Sequence, residues 1–236
     1  MSDGMGGGRP GPAALIFDVD GTLAETEELH RAAFNAVFAA HGLGWHWDRA
    51  TYGALLAVTG GKERIRAYRD RHAFALPRET DIAGLHADKT RRYGRMVAEG
   101  ALRARPGVLS LVAEARGHGL RLAVATTTSP DNVEALCRAL WQRPAGEVFD
   151  VIAAGDEVGA KKPAPDVYLL ALARLGIASE AALAFEDSAV GLASARAAGL
   201  KVVACPSLYM SGGDFAGAWW LTPSLAGAWR HIAASF

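Results

Sequence analysis

Two aspartates stand one residue apart in "FDVDGT", Asp18 and Asp20, directly after the apolar run Ala14, Leu15, Ile16 and Phe17. Like charges at the low-dielectric edge of a buried segment repel, so such a pair is costly unless a cation sits beside it. Three further groups of suitable chemistry follow in order: Thr126, Thr127 and Thr128 in "TTTS", Lys162 in "KKPAPD", and Glu186-Asp187 in "FEDS". Carboxylates with no thiol or imidazole among them are hard oxygen ligands, which points to Mg²⁺. A metal that neutralises a phosphoryl oxygen lets a carboxylate attack phosphorus. Asp18 is then the nucleophile, forming an aspartyl-phosphate. Asp20 protonates the leaving oxygen and later activates water. Thr126 donates to a phosphoryl oxygen, and Lys162 offsets the charge of the aspartates and the phosphate.

These groups act together only if the fold gathers them. Short apolar runs alternate with helical patterns: "AALIF" (13–17), "LRLAVAT" (120–126), "DVIAAG" (150–155), "ALAF" (182–185) and "KVVAC" (201–205). Runs apolar on both faces, separated by helices, predict a parallel sheet of βαβ units. Ser129-Pro130 predicts a helix start with Val133, Leu136, Cys137 and Leu140 buried, and Gly119, Gly176 and Gly199 predict helix stops. Ligands of open α/β sheets lie beyond the carboxyl ends of the strands. Each of the four groups falls after a successive predicted strand. A lone Asp-x-Asp, a threonine-rich capping loop or a lysine-proline loop is ordinarily structural; their joint order is what marks a site.

From about 28 to 101 the alternation stops and the pattern is helical throughout. The predicted stripes are Leu29, Ala33, Val37 and Ala40, then Ile65, Tyr68 and His72, then Leu85, Tyr93 and Val97, with Gly42 and Gly100 as helix ends. The expected architecture is therefore α/β: a Rossmann-like parallel-sheet core (13–27 and 102–236) carrying an inserted all-helical cap (28–101). Residues 1–12, "MSDGMGGGRPGP", read as a disordered leader, and the tail after about 207 is weakly patterned.

Composition bounds the partners. The 236 residues carry 25 basic and 25 acidic side chains, so no long-range field favours nucleic acid or an anionic membrane. Cys137 and Cys205 are the only cysteines, which gives neither a disulfide framework nor a metal-ligand spacing. With no long apolar span and no signal-peptide pattern, the sequence reads as a soluble, cytoplasmic, monomeric protein acting on a small phosphorylated sugar.

"FDVDGT", the Thr of "VATTTS", the Lys-Pro of "KKPAPD" and "FEDS", in this order, resemble the four motifs of the haloacid dehalogenase superfamily of phosphatases. The helical insert resembles that of its members with an α-helical cap. Within them, "DGTLAETEELHRAAFN", "TGGKERI", "RLAVATTTS" and "NVEALCRA" resemble the CbbY-type xylulose-1,5-bisphosphate phosphatases. The resemblance spans about residues 13–206. It implies the roles given above for Asp18, Asp20, Thr126 and Lys162. It also implies Asp18, the backbone carbonyl of Asp20 and Asp187 as Mg²⁺ ligands, with Glu186 in support.

A cap must supply selectivity and exclude water. Glu27 and His30, on one helix face at the cap entrance, are expected to contact sugar hydroxyls or sense closure. Gly60 and Gly61 offer backbone amides beside Lys62 and Arg64, a seat for a second phosphate. Thr127, Thr128 and Asn132 are expected on the substrate side of the core, whereas Tyr52 and the His86/Lys89 pair are set aside. The expected reaction is hydrolysis of xylulose 1,5-bisphosphate to xylulose 5-phosphate and phosphate. A β-phosphoglucomutase-type mutase shares both aspartates and the helical cap, and phosphoglycolate phosphatase is a further enzyme alternative. A catalytically dead binding protein on the same scaffold is disfavoured by the intact motifs.

Overall fold

The computed structural model describes residues 11–72 and 81–236. Most of the expected leader lies outside these residues. Five apolar runs form strands within a residue or two of their expected limits: β1 (Ala14–Phe17), β2 (Arg121–Thr126), β3 (Val151–Ala154), β4 (Ala182–Glu186) and β5 (Lys201–Ala204). A sixth, β6 (Trp220–Leu221), extends the sheet from the weakly patterned tail. All pairings are parallel, in the order β3-β2-β1-β4-β5-β6. The chain order reverses between the neighbouring strands β1 and β4, and a crevice opens at such a switch point beyond the carboxyl ends.

Successive strand residues face opposite sides, so β1 to β5 each feed two cores. Leu15, Phe17, Leu122, Val124, Leu183 and Phe185 pack on one side, and Ala14, Ile16, Ala123, Ala125, Ala182 and Ala184 on the other. The alanines of the second face let helices lie close to the sheet. Burial on both faces explains why the strands read as unbroken apolar runs.

Among the described residues, the segment 27–101 after β1 carries four helices: α1 (Glu27–Ala40), α2 (Arg49–Leu55), α3 (Gly61–His72) and α4 (Ile82–Met96), the last passing into a π turn over Val97–Ala101. Phe34, Phe38, Trp45, Trp47, Tyr52 and Tyr68 make an aromatic core of their own there. The burial of α1 differs from the expected stripe. His30, Ala33, Phe34, Val37 and Phe38 are buried, whereas Leu29 is half-buried and Ala40 exposed. The helix faces two partners, since Ala33 joins the sheet-side core while Phe34, Val37 and Phe38 join the aromatic one. His72 is exposed rather than part of its stripe.

The remaining helices are α5 (Val108–Gly117), α6 (Pro130–Trp141), α7 (Ala145–Val148), α8 (Asp166–Leu175), α9 (Ala189–Ala197) and α10 (Ala228–Ser235). Ser129 caps α6 by accepting from the Asn132 amide, and Pro130 stands at its first position, as expected. No helix among the described residues is long and apolar enough to cross a membrane.

Candidate active site

The register of β1 on β4 pairs Phe17 with Phe185, so the residues that follow leave the sheet side by side. The Asp18 amide still donates to the Phe185 carbonyl at 3.0 Å. Asp18, Glu186 and Asp187 each bring a carboxylate oxygen within 4.8 Å of the others, and all three are buried. The turn beyond Asp20 depends on Gly21, whose φ is +80° and where a Cβ would lie 2.1 Å from Asp187 Oδ2. Only glycine meets both demands.

Lys162 reaches this cluster from the loop after β3. Its ammonium donates to Asp18 Oδ1 at 2.6 Å and to Glu186 Oε1 at 2.7 Å. Burial opposes its charge, but Asp18 and Glu186 outweigh that and hold it above the usual lysine range. Burial likewise pushes Asp18 up to about 7, against the pull of Lys162, and Asp187 rises through burial and its neighbours Asp18 and Glu186. One ammonium facing three buried carboxylates leaves a deficit of positive charge. A divalent cation suits it in charge and in donor chemistry.

Asp20 is held differently. Its Oδ1 accepts from the Thr26 hydroxyl at 2.6 Å and from His30 Nε2 at 2.8 Å. Burial works to raise its pKa, but His30, Thr26 and Lys89 together bring it below the ordinary carboxylate range. Thr26 stands at the N-cap of α1, yet its side chain makes no capping bond. Forgoing a cap costs a helix about 1 kcal/mol, and here the hydroxyl serves Asp20 instead. Lys89 Nζ lies 2.7 Å from His30 Nδ1, and the imidazole stacks on Tyr93 with ring centroids 4.0 Å apart. The Lys89 ammonium has only protons to offer. His30 Nδ1 therefore accepts, and Nε2 carries the proton given to Asp20.

At the end of β2, Thr126 Oγ1 accepts from the Thr128 amide at 3.2 Å, and Asn132 Nδ2 donates to Thr128 Oγ1 at 2.8 Å. Asn132 Oδ1 is buried without a partner. Across the crevice, Arg64 Nη1 donates to the Tyr52 hydroxyl at 3.1 Å, and that hydroxyl donates to Glu27 Oε2 at 2.6 Å.

A cavity of about 400 Å³ joins the two sides. Of the residues singled out in the sequence, Asp18, Asp20, Glu27, His30, Gly60, Gly61, Arg64, Thr126, Thr127, Thr128, Asn132, Lys162, Glu186 and Asp187 all line it. Lys62 does not. It pairs with Asp156 on the loop after β3, which already binds Lys161 at 2.8 Å, so its charge is spent between the helices and the sheet. Nearby, the Thr59 hydroxyl donates to the Lys162 carbonyl at 2.6 Å.

Of the residues set aside in the sequence, His86 and Lys89 line the cavity and Tyr52 borders it through Glu27 and Arg64, whereas Tyr209, Met210 and Tyr168 gave no functional signal there. Lys89 lines the cavity and buries its stem, a position that periodicity on α4 could have flagged as core but not as charged. Tyr209 and Met210 enter from the tail: the Tyr209 hydroxyl bonds Glu28, and Met210 packs on the aromatic core. Nothing periodic announced them. Tyr168, on α8, donates its hydroxyl to Glu186 Oε1 at 2.5 Å.

A model of the haloacid dehalogenase-like hydrolases matches residues 12–199. The chain is 57% identical to the protein CbbY of Rhodobacter capsulatus over 215 residues, 91% of this chain and 94% of that one. The crystal structure of CbbY from Rhodobacter sphaeroides in complex with phosphate superposes with a TM-score of 0.88 at 55% identity, covering 91% of this chain and 95% of that chain. A mutant of the same protein in complex with xylulose-(1,5)-bisphosphate gives a TM-score of 0.88 at 54% identity, with the same coverage. The chain belongs to the haloacid dehalogenase-like hydrolases, in the branch that holds the CbbY proteins.

Proposed function

We propose that this chain hydrolyses a sugar bisphosphate, above all xylulose 1,5-bisphosphate, to the monophosphate and inorganic phosphate through an aspartyl-phosphate on Asp18. The observation that carries the reading is the lining of the cavity: Asp18, Thr126 and Lys162 come from the sheet side, and Arg64, Gly60 and Gly61 from the helical segment 27–101. A ligand with an anion at each end and hydroxyls between suits that lining, and the orphaned Asn132 Oδ1 is an acceptor for such a hydroxyl. The CbbY structure with xylulose-(1,5)-bisphosphate supports the same substrate.

Asp18, Asp187, the Asp20 carbonyl and, in support, Glu186 would hold Mg²⁺, which when bound draws negative charge from the phosphoryl oxygens. Lys162 pulls Asp18 toward its ionised form against burial and offsets charge as the Asp18 carboxylate attacks phosphorus. Thr126 donates to a phosphoryl oxygen. Asp20 has Oδ1 occupied by Thr26 and His30, so its proton moves on and off Oδ2. In the first half-reaction Asp20, once the negative charge of the substrate has entered the cavity, takes up a proton from solvent and gives it to the leaving sugar oxygen. In the second it takes one from the water that attacks the aspartyl-phosphate. Helices α1 to α4 act as the cap, excluding bulk water from the intermediate. This reading takes the enzyme to be cytoplasmic and monomeric.

The test is a phosphate-release screen over pentulose and hexose mono- and bisphosphates with Mg²⁺. The highest kcat/KM is expected for xylulose 1,5-bisphosphate. Isomerisation of a hexose 1-phosphate without net phosphate release, or a preference for phosphoglycolate, would overturn the reading.

A further inference from the structure

We propose that Tyr168 is a positioning residue that sets the aim of the Lys162 ammonium through Glu186. The inference rests on the catalytic reading given above for Lys162 and Asp18.

Tyr168 is fully buried in the first turn of α8 and does not line the cavity, so it cannot touch substrate. Its hydroxyl donates to Glu186 Oε1 at 2.5 Å, the same oxygen that accepts from Lys162 Nζ at 2.7 Å. The face of its ring lies beneath that ammonium, 4.9 Å from nitrogen to centroid. One side chain therefore contacts both the cation and the carboxylate that steers it. Glu186 is confined from the other side as well. A Cβ on Gly191 would fall 1.9 Å from Glu186 Oε2, so α9 presses its bare backbone against the carboxylate.

A lysine carries four flexible bonds, and an ammonium has no geometric preference of its own. Its direction must be imposed by partners. Asp18 cannot be the sole guide, because Asp18 is the group that changes when its oxygen bonds to phosphorus. Glu186 is the fixed guide, and Tyr168 fixes it. Without the hydroxyl, Glu186 Oε1 keeps only Lys162, and the carboxylate is freer to turn within a cluster that already holds Asp18 and Asp187. Lys162 then follows Glu186 away from the phosphoryl oxygens.

The test uses Tyr168→Phe, which keeps the ring and its packing. A hydrogen bond to a charged group, lost at one remove from the reacting atoms, should lower kcat roughly 10-fold while KM stays within about twofold. The thermal midpoint should hold within a few degrees. In a Lys162→Ala background the same substitution should cost no more than about twofold, because its effect runs through Lys162. An unchanged kcat in Tyr168→Phe would overturn the inference while leaving the catalytic reading intact. So would an undiminished loss in the Lys162→Ala background, or a loss that vanishes when assayed well below a lowered midpoint. A wild-type chain that releases no phosphate from any sugar phosphate would overturn the catalytic reading and this inference with it.

Discussion

The Lys89 ammonium stands 2.7 Å from His30 Nδ1, on the far side of the imidazole from Asp20. Helix α4 thereby fixes the tautomer of a histidine on α1, and that tautomer gives Asp20 a hydrogen bond.

Burial draws Lys89 down to about 8. As pH rises through that value the ammonium loses its proton, and the cavity loses a cation that helps hold Asp20 and would face a phosphorylated substrate. Activity should accordingly fall above about pH 8. A Lys89→Met variant should be less active at neutral pH and should lack that alkaline limb. The pH profile of kcat for both proteins checks this, and a limb of equal position in the variant contradicts it.

Arg64, not Lys62, faces the cavity. Arg64→Ala should lower kcat/KM for a sugar bisphosphate by roughly 10- to 150-fold, the worth of a charge-assisted hydrogen bond. Lys62→Ala, which only breaks the pair with Asp156, should change it by less than about threefold, as a partly exposed ion pair does. Hydrolysis of p-nitrophenyl phosphate, which has no second phosphate, should be nearly unaffected in both. Equal losses on the two substrates would mean that the substitution disturbs the fold rather than the phosphate seat.

The three buried carboxylates with one ammonium should make the enzyme depend on a cation. EDTA should silence phosphate release and Mg²⁺ should restore it. Ca²⁺ should inhibit, since its larger and looser coordination shell spoils in-line geometry. Full activity in the chelator would contradict the cation argument.

Where the sequence was informative, the physics was local. The strands bearing Asp18, Thr126 and Glu186 are buried on both faces, so their apolar runs end at the sheet edge and place the polar residues there. Ser129-Pro130 carries its own helix start. Other features depend on partners distant in the chain. Strand β6 has only two residues, too few to show a period. His30 is buried because Asp20 and Lys89 satisfy it, which spacing along α1 cannot reveal. Lys62 and Arg64 are near neighbours in sequence, but only the fold shows that Asp156 takes one while the other faces the cavity. Tyr168 sits in an apolar stripe of α8 and looks like core, because its hydroxyl finds its partner on β4.

The central claim is that Asp18 is the nucleophile, and Asp18→Asn tests it most directly. An amide neither attacks phosphorus nor ligates a hard cation as a carboxylate does. Phosphate release from xylulose 1,5-bisphosphate, measured on a variant whose thermal midpoint matches the wild type, should fall on the order of 10⁴-fold or more. Release within about tenfold of the wild-type rate would contradict the account.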